Sequence, residues 1–236
     1  MTPSPQPEDG EELLVPFDRV SKFVRQLTHD LRNGLSAIDL EAAYVAELVT
    51  DPEAGEEVRK LRQLVSKSAR SLRELSQCFQ PISLHTLPWE AALFVEELGK
   101  RIRTQFPQEG EWSVVSRLEK EYLCIDLEQM VIAISAVFHN AFRFRPEGTA
   151  VRLTAAREGE EIVLEFQQAK QTTPGDLPPE QWGAEPFLTG LGSGYGLGLY
   201  RARAILEAHG GRMESFHRNE ETVVRLILPV CEEPVE

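Results

Sequence analysis

Apolar residues recur at helical spacing along the first third of the chain. From about residue 13 to residue 50 they take alternating steps of three and four: Phe17, Val20, Val24, Leu27, Leu31 and Ile38. This spacing predicts one long amphipathic helix. The stretch TDPEAGEE then supplies a turn, with Asp51 at an N-cap and Pro52 at the first position of a second heptad helix. We expect the second helix to end at Pro81.

Two long helices joined by a short turn predict an antiparallel hairpin. Each helix carries a single apolar seam, and a lone hairpin leaves that seam half covered. A second copy of the chain would cover it symmetrically. The pattern therefore predicts a homodimer held by a four-helix bundle.

The pattern changes beyond Pro81 and predicts an α+β fold, with a mixed sheet under helices. Asp126, with Gln129 three residues later, resembles a capping box that opens a helix to about Phe144. The loop REGEE predicts a β-hairpin, and a further helix is expected to stop at Gly210. The remaining predicted elements are a helix at 89–106 and strands at 112–118, 122–125, 212–217 and 222–228.

The predicted organisation has four parts. They are a disordered leader at 1–12, a helical hairpin at 13–82, an α/β sandwich at 83–230 and a tail at 231–236. Residues 168–193 show no period, and a loop of this length suits a segment that covers a ligand.

The composition excludes several classes of partner and site. The net charge of −13 argues against binding to nucleic acid, which requires clustered cations. Without a long apolar run or a secretory signal, the sequence predicts a cytoplasmic protein that does not insert into membranes. Cys78, Cys124 and Cys231 form no CxxC pair, so packing roles are expected rather than a zinc site or a disulfide.

The stretch THDLRNGL places a histidine on the first helix, on the side away from the apolar seam. Asp30 can accept a hydrogen bond from one nitrogen of the His29 ring, which leaves the other nitrogen with a free lone pair. Asn33 lies one helical turn further along, where its amide could orient a water. An isolated exposed histidine is usually an ordinary solvated side chain. Here the neighbours predict a nitrogen nucleophile.

THDLRNGL followed by a heptad hairpin resembles the phosphoacceptor box of sensor histidine kinases, in its His-Asp-x-x-Asn variant. VFHNAFRFRPEG resembles the asparagine box of that family, and GSGYGLGL with RARAILEAHGG resembles its second glycine box. The three blocks stand in the family order and cover residues 13–230. The resemblance implies a dimerisation and phosphoacceptor hairpin followed by an ATP-binding α/β sandwich of the GHKL type.

The resemblance also implies roles for single residues. His29, Asp30 and Asn33 would be catalytic, and the phosphoryl group would pass from ATP to His29 and on to the receiver domain of a response regulator.

Asn140 would ligate Mg²⁺, an ion that takes oxygen ligands and keeps several waters. Arg143 stands where the family has a phosphate-contacting lysine. The signal would come from a separate sensor protein. Phosphates would lie against Gly194, Gly196, Leu197 and Gly198, where glycines and a helix N-terminus suit an anion.

The chain departs from the family in two places. Ala136 occupies the position of an asparagine in the asparagine box, and QQAKQTTPGDLPPE stands where Asp-x-Gly-x-Gly is expected. In the family that aspartate accepts the adenine amino hydrogen, and Gln167 or Gln168 would have to supply a neutral acceptor instead. Trp182 and Phe187 flank the predicted lid and would either cover the base or simply pack.

Three functions remain open at this point. The first is an ATP-dependent protein histidine kinase. The second is an ATP-independent histidine phosphotransferase with a decayed nucleotide fold, which the missing box favours and the retained GYGLGL opposes. The third is a scaffold that binds a regulator without catalysis, which gives no reason to keep His29, Asp30 and Asn33 together. The other histidines, His85, His139, His209 and His217, are expected to have surface or packing roles.

Overall fold

The computed structural model describes residues 16–106, 111–170, 177–188 and 196–233. The chain divides after Pro81 into two compact units. Within the described ranges, no helix combines the length and the apolar character that crossing a bilayer requires.

The first unit is a helical hairpin of α1 (Phe17–Leu48) and α2 (Pro52–Cys78). Asp51 caps α2 as predicted, because its carboxylate accepts a hydrogen bond from the backbone N–H of Ala54 at 3.2 Å. Phe79 stacks on Phe17 at the open end of the hairpin, with 6.0 Å between ring centroids. Since α2 ends at Cys78, its last turn stops short of Pro81, where we expected the end.

The helices of the hairpin meet through small side chains. The buried residues of α1 are Ser21, Thr28 and Ala42, which recur at multiples of seven and let α2 approach closely. The Thr28 hydroxyl is satisfied within the helix, since it donates to the Val24 carbonyl at 2.8 Å. The predicted seam lies on another face, and its residues remain partly exposed in the single chain: Leu27 43%, Leu31 48% and Ile38 47%.

The second unit is an α/β sandwich, as predicted. Its elements are β1 (Leu87–Glu90), α3 (Ala91–Gln105), β2 (Trp112–Ser116), β3 (Tyr122–Ile125), α4 (Leu127–Phe144), β4 (Val151–Glu158), β5 (Glu161–Ala169), a 3-10 helix (Pro179–Gln181), α5 (Gly198–Ala208), β6 (Arg212–Arg218) and β7 (Glu221–Pro229). The main sheet has the order β2-β4-β5-β7-β6, with β2 parallel to β4 and the other neighbours antiparallel.

Alternate residues of the sheet pack against the three helices. Phe138 of α4 lies edge-on to Phe166 of β5, with 5.0 Å between centroids, and both rings are buried. Leu164 and Val224 join them in the same apolar cluster. Side chains on this side of β5, including that of Gln168, therefore face the helical layer.

Two predicted boundaries in the second unit differ from the structure by two residues. The helix expected at 89–106 begins at Ala91, because Trp89 and Glu90 belong to β1, which pairs antiparallel with β3. The partner strand lies more than thirty residues further along the chain, and Pro88 makes the segment resemble a loop. The strand expected at 112–118 ends at Ser116.

His209 joins the end of α5 to the start of α4. Its buried ring accepts a hydrogen bond from the Asp126 backbone N–H at Nε2, at 3.0 Å, and Nδ1 donates to the Ile205 carbonyl at 2.7 Å. Asp126 itself caps α4, accepting from the Gln129 N–H at 3.1 Å, as the sequence predicted. This neutral ring tautomer satisfies both groups, which supports the packing role expected for His209.

We predict that His209→Ala destabilises the second unit by about 1–3 kcal/mol, because the Asp126 N–H would be left buried without an acceptor. The midpoint of urea denaturation measures the change. His139→Ala is the matched control, since His139 is an exposed residue of α4, and it should change stability by less than about 0.5 kcal/mol. Equal midpoints for the two variants would contradict the prediction.

Candidate functional site

The hairpin presents His29 to solvent. Its side chain is 55% exposed, as expected for a position opposite the seam. Nδ1 lies 3.1 Å from Asp30 Oδ1, a hydrogen bond in which the ring donates to the carboxylate. That bond fixes the proton on Nδ1 and leaves Nε2 with its lone pair.

Asp30 is held by a second donor that the sequence reasoning missed. Gln26 lies one turn before it and donates from Nε2 to both carboxylate oxygens, at 3.0 and 3.2 Å. The hydrogen bond from His29, followed by that from Gln26, lowers the pKa of Asp30 below its usual value. Asp30 therefore stays ionised and continues to accept from the ring. The four-residue step from Gln26 to Asp30 is the signal that would have identified this contact.

Asn33 lies on the same helical face as His29. Its amide nitrogen is 3.5 Å from Nδ1 of the ring, a long contact beside the shorter one to Asp30. Of the predicted hairpin residues, the structure thus brings His29, Asp30 and Asn33 together on one exposed patch. Arg32 is exposed nearby on α1.

The start of α5 forms the second predicted site. Among the described residues no side chain caps this helix at Leu197, so its first N–H groups and the positive end of the helix dipole are open to an anion. Gly196 has φ +64°, and a Cβ there would lie 2.6 Å from the Leu188 carbonyl oxygen. Leu197 is buried and anchors the turn. Gly194 lies outside the described residues.

Asn140 lies one helical turn beyond Ala136, the residue of α4 nearest to this helix start. A Cβ on Gly198 would be 3.7 Å from the Cβ of Ala136, so α5 begins against α4 one turn before Asn140. The Asn140 amide is partly exposed, and the described residues give it no hydrogen-bond partner. No cluster of three or more His, Cys, Asp or Glu side chains suited to a metal occurs in the described ranges. A lone amide oxygen fits Mg²⁺, which is usually held by few protein ligands together with phosphate oxygens and waters.

Two arginines lie at the C-terminal end of α4. The exposed Arg143 guanidinium lies 5.3 Å from the Phe144 ring centroid. Arg145, which the sequence reasoning passed over, stacks 4.6 Å from the Phe142 centroid. One terminal nitrogen of Arg145 is buried without a hydrogen-bond partner among the described residues. An anion would satisfy it.

The two candidate glutamines at the end of β5 face opposite sides of the sheet. Gln167 lies on the side away from the helices, and its Nε2 donates to Glu165 Oε1 at 2.6 Å. Gln168 lies on the helical side and is 7% exposed. Of the two aromatic residues flanking the predicted lid, Trp182 is partly buried and donates from Nε1 to the Leu177 carbonyl at 3.3 Å, whereas Phe187 is exposed.

The chain is similar to known signalling proteins along most of its length. The family described as "Histidine kinase-, DNA gyrase B-, and HSP90-like ATPase" matches residues 125–232. The alginate biosynthesis sensor protein KinB of Pseudomonas aeruginosa is 25% identical over 211 residues, which cover 84% of this chain and 35% of KinB. The sensory histidine kinase/phosphatase NtrB of Rhizobium leguminosarum bv. phaseoli is 24% identical over 234 residues, covering 91% of this chain and 59% of NtrB. Residues 125–232 thus match this ATPase family, and the chain as a whole is similar to sensor histidine kinases.

The fold of this chain is similar to that of solved histidine kinases. Full-length ShkA in complex with AMPPNP aligns with 91% of this chain and 47% of ShkA, at a TM-score of 0.70 and 19% identity. AdeS of Acinetobacter baumannii covers 88% of the chain at a TM-score of 0.54 and 16% identity. The chain spans less than two thirds of the length of KinB and NtrB.

Proposed function

We propose that this chain is the transmitter of a sensor histidine kinase in a two-component system, and that it transfers the γ-phosphoryl group of ATP to Nε2 of His29. The observation that carries this proposal is the His29–Asp30 hydrogen bond, which leaves Nε2 exposed and unprotonated. Residues 125–232 match a family of ATPases, which supports ATP as the donor of the phosphoryl group.

The reaction follows from this geometry. The lone pair of Nε2 attacks the γ-phosphorus, the bond from that phosphorus to the bridging oxygen of ADP breaks, and ADP leaves with the electron pair. The ring becomes a cationic phosphoimidazolium that keeps its proton on Nδ1. Asp30, ionised and fixed by Gln26, stabilises that cation through the same hydrogen bond.

The second unit would hold the nucleotide. The uncapped N–H groups at Gly198, with the backbone at Gly194, Gly196 and Leu197, would bind phosphate oxygens. Arg143 would add a cation. Asn140 would ligate Mg²⁺, which neutralises charge on the phosphates when bound. ATP binding by this fold is supported by the AMPPNP complex of ShkA.

The phosphorylated ring would serve a receiver domain. We propose that an aspartate of a response regulator takes the group from His29, and that Asn33 orients a water for the reverse, dephosphorylating reaction. The transmitter would act in the cytoplasm, where ATP is available. The net charge of −13 makes nucleic acid an unsuitable partner.

Incubation with γ-labelled ATP and Mg²⁺ tests the proposal. A kinase gives a protein-bound label that is lost in acid and retained in base, the stability of a phosphohistidine. If no label appears, a phosphorylated receiver domain is added. Label that passes from it to His29 supports the second function, an ATP-independent phosphotransferase.

One observation favours that second function. Ala136 stands where the family has an asparagine, and QQAKQTTPGDLPPE stands where it has the Asp-x-Gly-x-Gly box, so two polar nucleotide contacts are lost. If neither assay labels the protein, a regulator-binding scaffold remains.

The partly exposed seam supports a homodimer through the hairpin. We predict that Leu27→Asp with Leu31→Asp raises the dimer dissociation constant at least roughly a hundredfold, because each buried leucine contributes about 1.5–3 kcal/mol. Sedimentation velocity across a concentration series measures it. Leu93→Asp is the control, since Leu93 is exposed in the second unit. A double variant that stays as dimeric as the control would contradict the prediction.

A further inference from the structure

Cys124 and Cys231 lie far apart in the sequence but side by side in the second unit. Side chains alternate along β3, so that Leu123 and Ile125 are buried in the core and Cys124 is exposed on the outer face. Just beyond β7 the chain reaches β3, where Cys231 forms an antiparallel bridge with Tyr122 and donates its N–H to the Tyr122 carbonyl at 2.8 Å. Bridged residues share a face of the sheet, so Cys231 lies on the same outer face as Cys124.

The side chains of these two cysteines are in contact. Burial, followed by a hydrogen bond to the Cys124 side chain, raises the pKa of Cys231 to about 12. Both residues are free thiols, and Cys124 is exposed whereas Cys231 is half-buried. An oxidant in solution therefore reaches Cys124 first, with a second thiol beside it. Cysteine spacing predicted only packing roles, because it does not reveal a pair that a β-bridge brings together.

The surface around the two cysteines is acidic. Glu90 lies opposite Tyr122 in the pairing of β1 with β3. Glu232 and Glu233 directly follow Cys231 and are exposed. Burial, then the negative charges of Glu233 and Glu90, raises the pKa of Tyr122. Negative charge repels an anionic oxidant such as oxidised glutathione, whereas hydrogen peroxide is uncharged, so peroxide is the oxidant that suits this surface.

We propose that Cys124 and Cys231 form a peroxide-sensitive dithiol that is oxidised to a disulfide within one chain. The Cys124 sulfur attacks one oxygen of hydrogen peroxide, the O–O bond breaks, and the other oxygen leaves with the thiol proton as water. The Cys231 sulfur then attacks the resulting sulfenic acid. The S–S bond forms, the S–O bond breaks, and the hydroxyl leaves with the Cys231 proton as a second water. The two thiols thus lose two electrons and two protons, and peroxide is reduced to two waters.

The disulfide would hold the segment after β7 on β3, where the bridge at Tyr122 already places it. Because Cys124 and Cys231 are distant in the sequence, the bond closes a long loop of the unfolded chain and stabilises the folded second unit. We expect its melting temperature to rise by at least about 4 °C. In reducing surroundings the pair would remain as thiols until an oxidant appears. This inference involves neither nucleotide nor phosphoryl transfer, so it does not depend on the proposed function.

Treatment of the full chain with hydrogen peroxide tests the inference. Remaining thiols are alkylated under denaturing conditions, and the protein is then analysed by mass spectrometry before and after proteolysis. We expect a loss of two hydrogen atoms and a linked pair of peptides that contain Cys124 and Cys231, both reversed by dithiothreitol. Thermal unfolding of the same samples measures the melting temperature. Cys78→Ser is the matched control, since Cys78 lies on α2 in the first unit, and it should retain the linked peptides and the rise.

Cys124→Ser and Cys231→Ser should each lose the linked peptides and the rise in melting temperature. Since Cys124 is exposed, its replacement should leave the melting temperature of the reduced protein within about 2 °C, which separates loss of the bond from misfolding. Disulfides that join two chains, or that require Cys78, would overturn the inference. Oxidation of Cys124 to a sulfinic acid with Cys231 left as a thiol would do so too. Linked peptides without a rise in melting temperature would show that the folded unit does not accommodate the bond, which also contradicts the proposal.

Discussion

His29→Ala is expected to abolish incorporation of the γ-phosphoryl group, with a loss of more than about a hundredfold in initial labelling rate. The variant removes the nucleophile itself, and no other group in THDLRNGL offers a nitrogen lone pair. Stability should stay within about 0.5 kcal/mol of the unmodified protein, because the ring is exposed and bonded only to exposed neighbours. Labelling and urea denaturation, measured on the same preparation, separate the two effects.

Three further variants distinguish loss of the nucleophile from other causes of reduced labelling. His139→Ala, a change to another exposed helical histidine, should keep full labelling. Gln26→Ala removes only the second donor to Asp30 and should slow labelling by a smaller factor than Asp30→Ala does. Labelling that survives in His29→Ala would place the acceptor elsewhere. Labelling lost equally in His139→Ala would indicate a fold defect and not loss of a nucleophile.

The local elements of the fold could be predicted because their signals lie within a few residues of each other. Asp51 and Asp126 cap α2 and α4 where the spacing placed them. The strand β1 could not be predicted, since its four residues are defined by pairing with β3 and not by their own pattern. The residues of α1 that face α2 within the hairpin could not be predicted either. Hydrophobic periodicity located the leucine seam, whereas the helices meet through Ser21, Thr28 and Ala42.

The candidate site also combines features that follow from neighbouring residues with features that only the tertiary structure decides. The adjacency of His29 and Asp30 is a local property, and the predicted hydrogen bond is present. The choice between Gln167 and Gln168 depends on which face of β5 packs against the helices, and that is decided by tertiary structure. Arg145 was overlooked because its buried nitrogen is visible only once the Phe142 ring beneath it is placed.

The two glycines at the start of α5, Gly196 and Gly198, should differ sharply in their tolerance of a side chain. Gly196→Ala is expected to lower ATP affinity by about tenfold or more. The left-handed conformation at φ +64° costs alanine about 1–2 kcal/mol, and its Cβ would lie 2.6 Å from the Leu188 carbonyl oxygen and 2.8 Å from the Phe187 carbonyl carbon. The turn must then change shape, and the N–H groups after it lose their positions. Titration with AMPPNP and Mg²⁺ measures the loss.

Gly198→Ala is the matched control, two residues further on. Its φ lies outside the left-handed region, and the added Cβ would make an ordinary contact of 3.7 Å with Ala136 on α4. Because alanine also favours the helix by up to about 1 kcal/mol, affinity should stay within about threefold and stability should not fall. Retained affinity in Gly196→Ala would contradict the phosphate role of this turn. A large loss in both variants would mean that phosphate approaches the backbone at Gly198 so closely that even a methyl group directed toward α4 interferes.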